Sequence, residues 1–513
     1  MTESVFMEDK LKGRRIAVNT MMLYFRMFVL MLVGLYTSRV VLGALGENDY
    51  GIYNVVGGVV AMFTIISGAL NSSVSRYITF EMGKGESAQL QKVYSTAVTI
   101  QLVLALIVIA LAEPAGLWFI DNKMTIDPAR IPAARTVLHF SLLAFVINLM
   151  SVPQMASITA HEKMSAYAGI GLLDGFLRLA VAFLILHSSS DRLVLYSALM
   201  AAVVLIVRLA YGTYCRRHFP ECRYRPVFDK ALIREMFSFA GWNFIGVTAG
   251  VLRDHGGNIL VNIFSGPAVN AARGVAVQLN GTVQGFVTNF MTAVNPQITK
   301  SYASGDRRYM LSLVKKSSRM SFYLLFIIAL PILFNTGYLL SLWLKEVPEH
   351  TMAFVRLFLI FALSESLSNP LMTAAQATGN IRRYQSIVGG LILLNLPVSY
   401  ICLKAGADPE VTVLVAIVIS QICLAARLIL LKTMVGLDSK AFVKGVWLNV
   451  TAVSAAAIPL PLLAGSFMPY GFAGFCASSA ICVLSAALSI LYVGCSRNER
   501  LEMFNMIADR FRK

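Results

Sequence analysis

Apolar runs of membrane-spanning length follow one another along the whole of this 513-residue chain, and that pattern leaves few folds open. In hydrocarbon every backbone N–H and C=O has to be satisfied within the chain, so a span is either a helix or a strand of a closed barrel. Each run here exceeds twenty residues, long enough for a helix and far longer than a barrel strand. The expected fold class is an all-α integral membrane protein of about 14 transmembrane helices. They are read at 18–44, 50–78, 88–112, 136–158, 164–187, 193–214, 237–264, 267–295, 317–342, 351–376, 382–404, 411–433, 443–465 and 468–494. Turn formers such as Gly266-Pro267, Asp408-Pro409 and Ser188-Ser189-Ser190 mark several boundaries. Fourteen spans leave only loops and tails, so no separate soluble domain fits. The first run is too long for a cleavable signal core and is expected to stay as helix one.

The net charge of +17 would suit a nucleic-acid binder, but its distribution argues against one. With helix ends good to a few residues, and Lys and Arg near the end of a span counted with the adjoining loop, thirty of the 44 fall on the two tails and the even-numbered loops, seven on the odd-numbered loops and seven deeper inside spans. Cytoplasmic loops attract Lys and Arg, so both termini are expected in the cytoplasm and the number of spans is even. No basic face interleaved with aromatics or nucleic-acid motif accompanies the charge, so no nucleic-acid partner is expected. The segment Glu499–Lys513 carries Leu501, Phe504, Ile507, Ala508 and Phe511 on one helical stripe with basic ends. It reads either as a helix lying on the membrane surface or as one packed on the protein's own loops. The seven cysteines form no CxxC and no Cys/His cluster, so neither a metal nor a structural disulfide is expected. No P-loop, HExxH, GxSxG or placed carboxylate pair is present, so the chain reads as a non-enzyme with no cofactor.

The chain also repeats itself. A shift of 220 residues lays Gly46 on Gly266, Val55 on Val275, Val74 on Val294, Thr79 on Thr299 and Gly85-Glu86 on Gly305-Asp306. A shift of 217 lays Pro153 on Pro370 and Tyr167 on Tyr384, and one of 219 lays Arg208-Leu209 on Arg427-Leu428. Helices one to six and seven to twelve keep the same spacing and loop charges. Six spans is an even number, so both copies insert the same way up, as pseudo-two-fold lobes. The expected domains are residues 1–220 and 221–436, followed by two extra helices and a tail at 437–513.

The first hairpin carries a family likeness. Leu42-Gly43, Gly46-Glu47-Asn48-Asp49-Tyr50-Gly51-Ile52-Tyr53, Gly68, Ser75-Arg76-Tyr77 and Gly83-Lys84-Gly85-Glu86 resemble the polysaccharide-transport proteins. These are the O-antigen flippase type of the multidrug/oligosaccharidyl-lipid/polysaccharide exporter superfamily. The resemblance implies a multi-pass inner-membrane protein that turns a polyprenyl-pyrophosphate-linked oligosaccharide between leaflets, for surface polysaccharide such as lipopolysaccharide.

A pyrophosphate and a sugar chain would lose their hydration in oil, so such a carrier needs a wet cavity with cations. Arginine fits, being permanently charged with a planar fork of donors. Arg26 in helix one and Arg253 in helix seven are the leading candidates. The 220 shift places Arg253 opposite position 33, two helical turns from 26 and on the same face. Arg39 and Arg273, toward the outer ends of helices one and eight, either line the cavity mouth or reach the interface. Arg208 and Arg427 read as interfacial. Asp174 and Arg178, four apart, read as a self-satisfied pair, and His139 as a packing residue. Arg253-Asp254-His255-Gly256-Gly257 in mid-span predicts a kinked helix. Asp254, His255 and Glu365 are candidates for coupling transport to a proton or sodium ion, with Asp254 read first as a neutraliser of arginine. Asn270, Gln278, Asn280, Gln284, Asn289 and Asn295 make helix eight too polar for a lipid face, and Gln284, Asn280 and Asn295 among them suit sugar hydroxyls or interhelical bonds. Seven arginines against three intramembrane acids favour an anionic substrate over a cationic drug. A drug/cation antiporter of the same superfamily, a peptidoglycan-precursor flippase and a non-transporting scaffold remain the alternatives.

Overall fold

The computed structural model describes residues 2–344, 346–465, 468, 471–497 and 499–501, with side chains at 13 and from 15 onward except 47, 59, 61, 64 and 65. Among the described residues the regular structure is entirely helical. In chain order the helices are α1 (2–45), α2 (47–84, interrupted at Met62 and Phe63), α3 (Ser87–Asn122), α4 (Ile131–Ala160), α5 (Met164–Leu186), α6 (Arg192–His218), α7 (230–265) and α8 (267–303). They continue with α9 (Arg307–Phe334), α10 (Thr351–Ala377), α11 (Arg382–Lys404), α12 (Val411–Val435), α13 (Ser439–Gly465) and α14 (Phe472–Gly494). Eleven are long and apolar enough to cross a membrane; α2, α7 and α8 fall short of that apolarity. The last two hold Arg253, Asp254, Arg273, Asn280 and Gln284. Most of Glu499–Lys513 lies outside the described residues.

The helices assemble into two compact units. The N-terminal unit comprises the described residues up to Val247 together with Thr292–Gly305, and the C-terminal unit comprises Thr248–Met291 and the described residues from Asp306 onward. The boundaries therefore fall inside α7 and α8, and α13 and α14 belong to the second unit. Large apolar side chains point outward along many helices, such as Leu106 and Leu111 on α3, Leu209 on α6 and Ile429 on α12. In water that surface would be an aggregation hazard; in a bilayer it is the lipid-facing side.

Backbone breaks recur at the spacing of the repeat. Gly46, between α1 and α2, has φ 74° and ψ 171°, and Gly266, between α7 and α8, has φ 82° and ψ 176°. This region is open essentially to glycine alone, because a Cβ would clash. One sharp turn, 220 residues apart, thus ends the first helix of each copy. Gly85 and Gly305, also 220 apart, both take a left-handed φ, at 81° and 83°.

Two expectations need correction. Helix three does not stop at 112: α3 runs through Pro114 to Asn122, and α4 begins at Ile131, so the long loop expected at 113–135 shrinks to 123–130. A mid-helix proline removes one backbone bond, which neighbouring helices tolerate in a membrane bundle. The extension also brings Glu113 onto a span, where it faces His139 of α4 at 3.3 Å. His139 is half exposed beside this carboxylate rather than buried among apolar side chains. Second, the backbone keeps helical torsions through Gly256-Gly257; within α7 and α8 only Gly266 departs from them. The two glycines serve packing. A Cβ on Gly256 would lie 2.5 Å from Leu396 of α11, and one on Gly257 would lie 2.6 Å from the Arg273 guanidinium.

Charged clasps tie the turns within each unit. At the α1–α2 end, Arg130 is held by Asp49 and, at 2.6 Å, by Asp191, whose other oxygen caps α6 by accepting from Leu193 N at 3.0 Å. In the C-terminal unit the same two turns are joined by His350 and Glu410, at 2.7 Å. At the other end of the N-terminal unit, Glu162 sits at the α4–α5 turn with a left-handed φ of 57°. Its buried carboxylate receives Lys300 Nζ at 2.9 Å, Gln297 Nε2 at 3.2 Å and the Arg15 guanidinium at 3.7 Å. This carboxylate pins the end of α8 to α1 and α5, and Gly83 of α2 lets α8 approach further: a Cβ there would lie 2.8 Å from the Lys300 backbone.

His161, beside Glu162, stacks on Phe219 at 3.9 Å and bonds Glu221 through Nε2 at 2.6 Å. Burial alone would raise the Glu221 carboxyl. The bonds from His161 and from its own backbone outweigh this and leave it below its usual 4.5. A carboxyl lowered by folding adds stability above its unfolded value, which is lost as pH falls through the folded one. Glu221→Gln is thus expected to melt below the parent above about pH 5, with the two curves converging below about pH 4. Thermal melts across that pH series check it.

Candidate functional site

In the N-terminal unit the site is built on the contact between α1 and α5. Helix α5 carries Gly171 and Gly175 four apart, a spacing that lets another helix approach closely. A Cβ on Gly171 would overlap the Arg26 guanidinium, and one on Gly175 would overlap Leu30, one turn further along α1. Arg26 therefore lies in a groove that glycine makes, with its guanidinium 4.6 Å from the centre of the Tyr167 ring. Its Nε is buried without a hydrogen-bond partner, and among the described residues no carboxylate lies within 4.0 Å of it. The acid that could have served, Asp174 on α5, accepts instead from Arg178 Nε at 2.9 Å, the self-satisfied pair expected from the spacing. Among the described residues the guanidinium thus has an aromatic floor and no paired carboxylate, an arrangement that could accept an anion. Arg39, three and a half turns further along α1, is exposed.

The C-terminal unit holds its arginines differently. Arg253 donates to both oxygens of its neighbour Asp254, at 2.9 and 3.3 Å, and lies 4.7 Å from the centre of the Phe361 ring on α10. Asp254 remains half exposed on its far side and His255 is exposed. Arg273 is buried, over Gly257, and donates to Asn258 Oδ1 and, at 3.3 Å, to the Asp254 carbonyl. Arg427 is a correction: it does not reach an interface but is 4% exposed, donating to Tyr384 Oη at 3.1 Å and Ser368 Oγ at 2.9 Å. Those polar partners lie deeper than the helix end and draw the guanidinium inward. Glu365 lies 4.0 Å from Arg427 and acts electrostatically on Arg253 as well. The unit thus gathers Arg253, Asp254, Glu365 and Arg427 into one balanced network. Sequence reasoning missed Tyr384 and Ser368 as members of it.

Gln284 Nε2 reaches Asn280 Oδ1 at 3.5 Å, one turn away on α8, and both are half-buried in the C-terminal unit. Asn295, further along α8, belongs to the N-terminal unit, so the three amides do not share one unit.

Because Gly171 exists to seat Arg26, Gly171→Ala tests the seat. The added Cβ meets the far end of a flexible side chain, which can swing away. Thermal stability is expected to stay within about 1 kcal/mol of the parent, while any activity that uses the seated guanidinium falls several-fold. Paired melting and transport measurements would read both.

Comparison with known proteins places the fold. Residues 13–302 match the family described as polysaccharide biosynthesis protein, and residues 257–401 match MatE. Over 315 residues the chain is 18% identical to the membrane protein EpsK of Bacillus subtilis, covering 61% of this chain and 62% of EpsK. A MATE protein solved in complex with MaD3S superposes with a TM-score of 0.72 at 11% identity, over 82% of this chain and 97% of that one. A MOP superfamily transporter from Pyrococcus furiosus, reported to have a binding pocket of reverse polarity suggesting a different function, superposes with a TM-score of 0.69 at 10% identity, over 81% and 96%. The fold is the MATE-type transporter fold.

Proposed function

We propose that this chain, which belongs to the polysaccharide biosynthesis protein family of the multidrug/oligosaccharidyl-lipid/polysaccharide exporter superfamily, translocates a polyprenyl-pyrophosphate-linked oligosaccharide across the cytoplasmic membrane. The observation that carries this reading is Arg26. A membrane-embedded guanidinium without a carboxylate partner is costly unless an anion or water attends it, and a diphosphate offers acceptor oxygens matched to its fork. The balanced network of Arg253, Asp254, Glu365 and Arg427 supplies the second half of a cycle. A proton or sodium ion arriving at Asp254 or Glu365 would release arginine for the diphosphate, and its departure would restore the internal pairs. Arg39 and Arg273 serve as further cations on the path, and Asn280, Gln284 and Asn295 offer amides to the glycan. The two lobes alternate access about that path, with both termini in the cytoplasm and with no chemistry performed on the substrate.

The test is reconstitution into vesicles with a fluorescent polyprenyl-pyrophosphate oligosaccharide and scoring of its exposure on the far leaflet. Protein-dependent exposure supports the reading; exposure at the rate of empty vesicles overturns it. A second reading, drug/cation antiport, is favoured by the MatE match and the half-exposed Asp254. It requires ethidium efflux driven by a proton or sodium gradient from the same vesicles, which the flippase reading does not.

A further inference from the structure

The hairpin turn that carries the family likeness also walls a cavity that is lined by none of the arginines assigned above to the diphosphate. At the α1–α2 end of the N-terminal unit, Asn48 and Asp49 from the turn face Phe119 and Lys123 at the end of α3 and Asp127 and Arg130 before α4, around a space of about 710 Å³. That lies within the range of about 300–1,000 Å³ usual for small-molecule sites. We propose that this cavity is a saccharide site that receives uncharged sugar residues of the glycan; the assignment of a glycan rests on the function proposed above.

Charge decides the ligand class. Two carboxylates and two cations line the space, so it carries no net charge for a phosphate or a metal ion. Arg130 is consumed by Asp49 and Asp191, and Asp127 spends Oδ1 on the Ala129 N–H at 2.9 Å. What stays available is a mixed set of short-range donors and acceptors: the Asn48 amide, the second Asp127 oxygen and the Lys123 ammonium, which has no carboxylate within 4.0 Å among the described residues. Phe119 adds a half-buried ring for the apolar face of a pyranose. Donors and acceptors together, with an aromatic wall and no net charge, match a polyhydroxyl ligand. The repeat gives an internal control. The positions 220 residues after Asn48 and Asp49 are Ala268 and Val269, so the second copy of the same turn lacks the polar wall, and the turn itself does not require it.

Trp118 reports on the site, because its ring lies 5.8 Å from the Lys123 ammonium. The full-length protein, labelled with 5-fluorotryptophan and held in lipid nanodiscs, is titrated with maltotriose, chitotriose or inorganic pyrophosphate, with the Trp118 resonance identified by Trp118→Phe. A saturable shift with at least one trisaccharide, half-complete on the order of 1 mM, and none with pyrophosphate is expected. Asn48→Leu, at an exposed position, is expected to weaken it at least tenfold, and Lys123→Ala several-fold. Absence of a saturable shift with both sugars, a response to pyrophosphate alone, or unchanged binding in Asn48→Leu overturns the site. Sugar binding without translocation in vesicles would leave the site standing and remove the flippase reading. Translocation without sugar binding would do the reverse.

Discussion

Arg26→Gln is expected to lower the rate of lipid-linked oligosaccharide translocation by about 10- to 100-fold while leaving the melting temperature unchanged or higher. The range follows from a hydrogen bond to a charged group being worth about 1.5–3 kcal/mol, with each 1.4 kcal/mol a factor of ten. The opposite movement of stability is the discriminating part. Arg26 has a buried, unpartnered Nε and, among the described residues, no carboxylate within 4.0 Å, so the resting protein draws from it little beyond the ring contact with Tyr167. A purely structural arginine would behave the other way, its loss costing stability and reaching transport only through misfolding. Arg26→Lys should fall between, keeping the charge but not the fork. Wild-type transport by Arg26→Gln would end the role assigned to this residue.

The largest stability effect is expected at Glu162. Its carboxylate accepts from Lys300 and Gln297 and pairs with the Arg15 guanidinium at 3.7 Å, so Glu162→Gln leaves Lys300 partly buried and uncompensated. Breaking one side of a buried pair costs about 3–5 kcal/mol. The partial water access of Lys300 and Arg15 puts the expectation near about 3 kcal/mol. The double substitution Glu162→Gln with Lys300→Gln should recover much of that loss, since the orphaned charge is then gone. Melting of the two single variants and the double variant forms the cycle. Additive losses would show that the two groups do not depend on one another.

How far the sequence could be read depended on whether a feature was local. Gly46 and Gly266 were legible because the backbone itself demands glycine at those turns, and their spacing carried the duplication with it. The pair Asp174 and Arg178 was legible because helical spacing alone brings it together. The reading of helix three to 112 fell short, because the helix continues through Pro114, a local breaker in sequence whose lost bond a membrane bundle tolerates. The glycines after His255 misled in the same direction, because room for a neighbour and freedom to bend leave the same mark in a sequence. Arg427 was misplaced because its partners, Tyr384 and Ser368, come from two other helices. The seat of Arg26 was half legible. The arginine stood out, but Gly171 gained meaning only once α5 was seen against α1.

The clasps at the helix turns have a consequence for how two copies of one design come to behave differently. In the first copy one guanidinium, that of Arg130, is shared between two carboxylates, Asp49 and Asp191. In the second, an imidazole stands where the guanidinium stands in the first, and the strap is a single contact between His350 and Glu410. Removing one side chain therefore cuts the whole strap in the second copy, whereas in the first the loss of Asp191 would still leave Arg130 joined to Asp49.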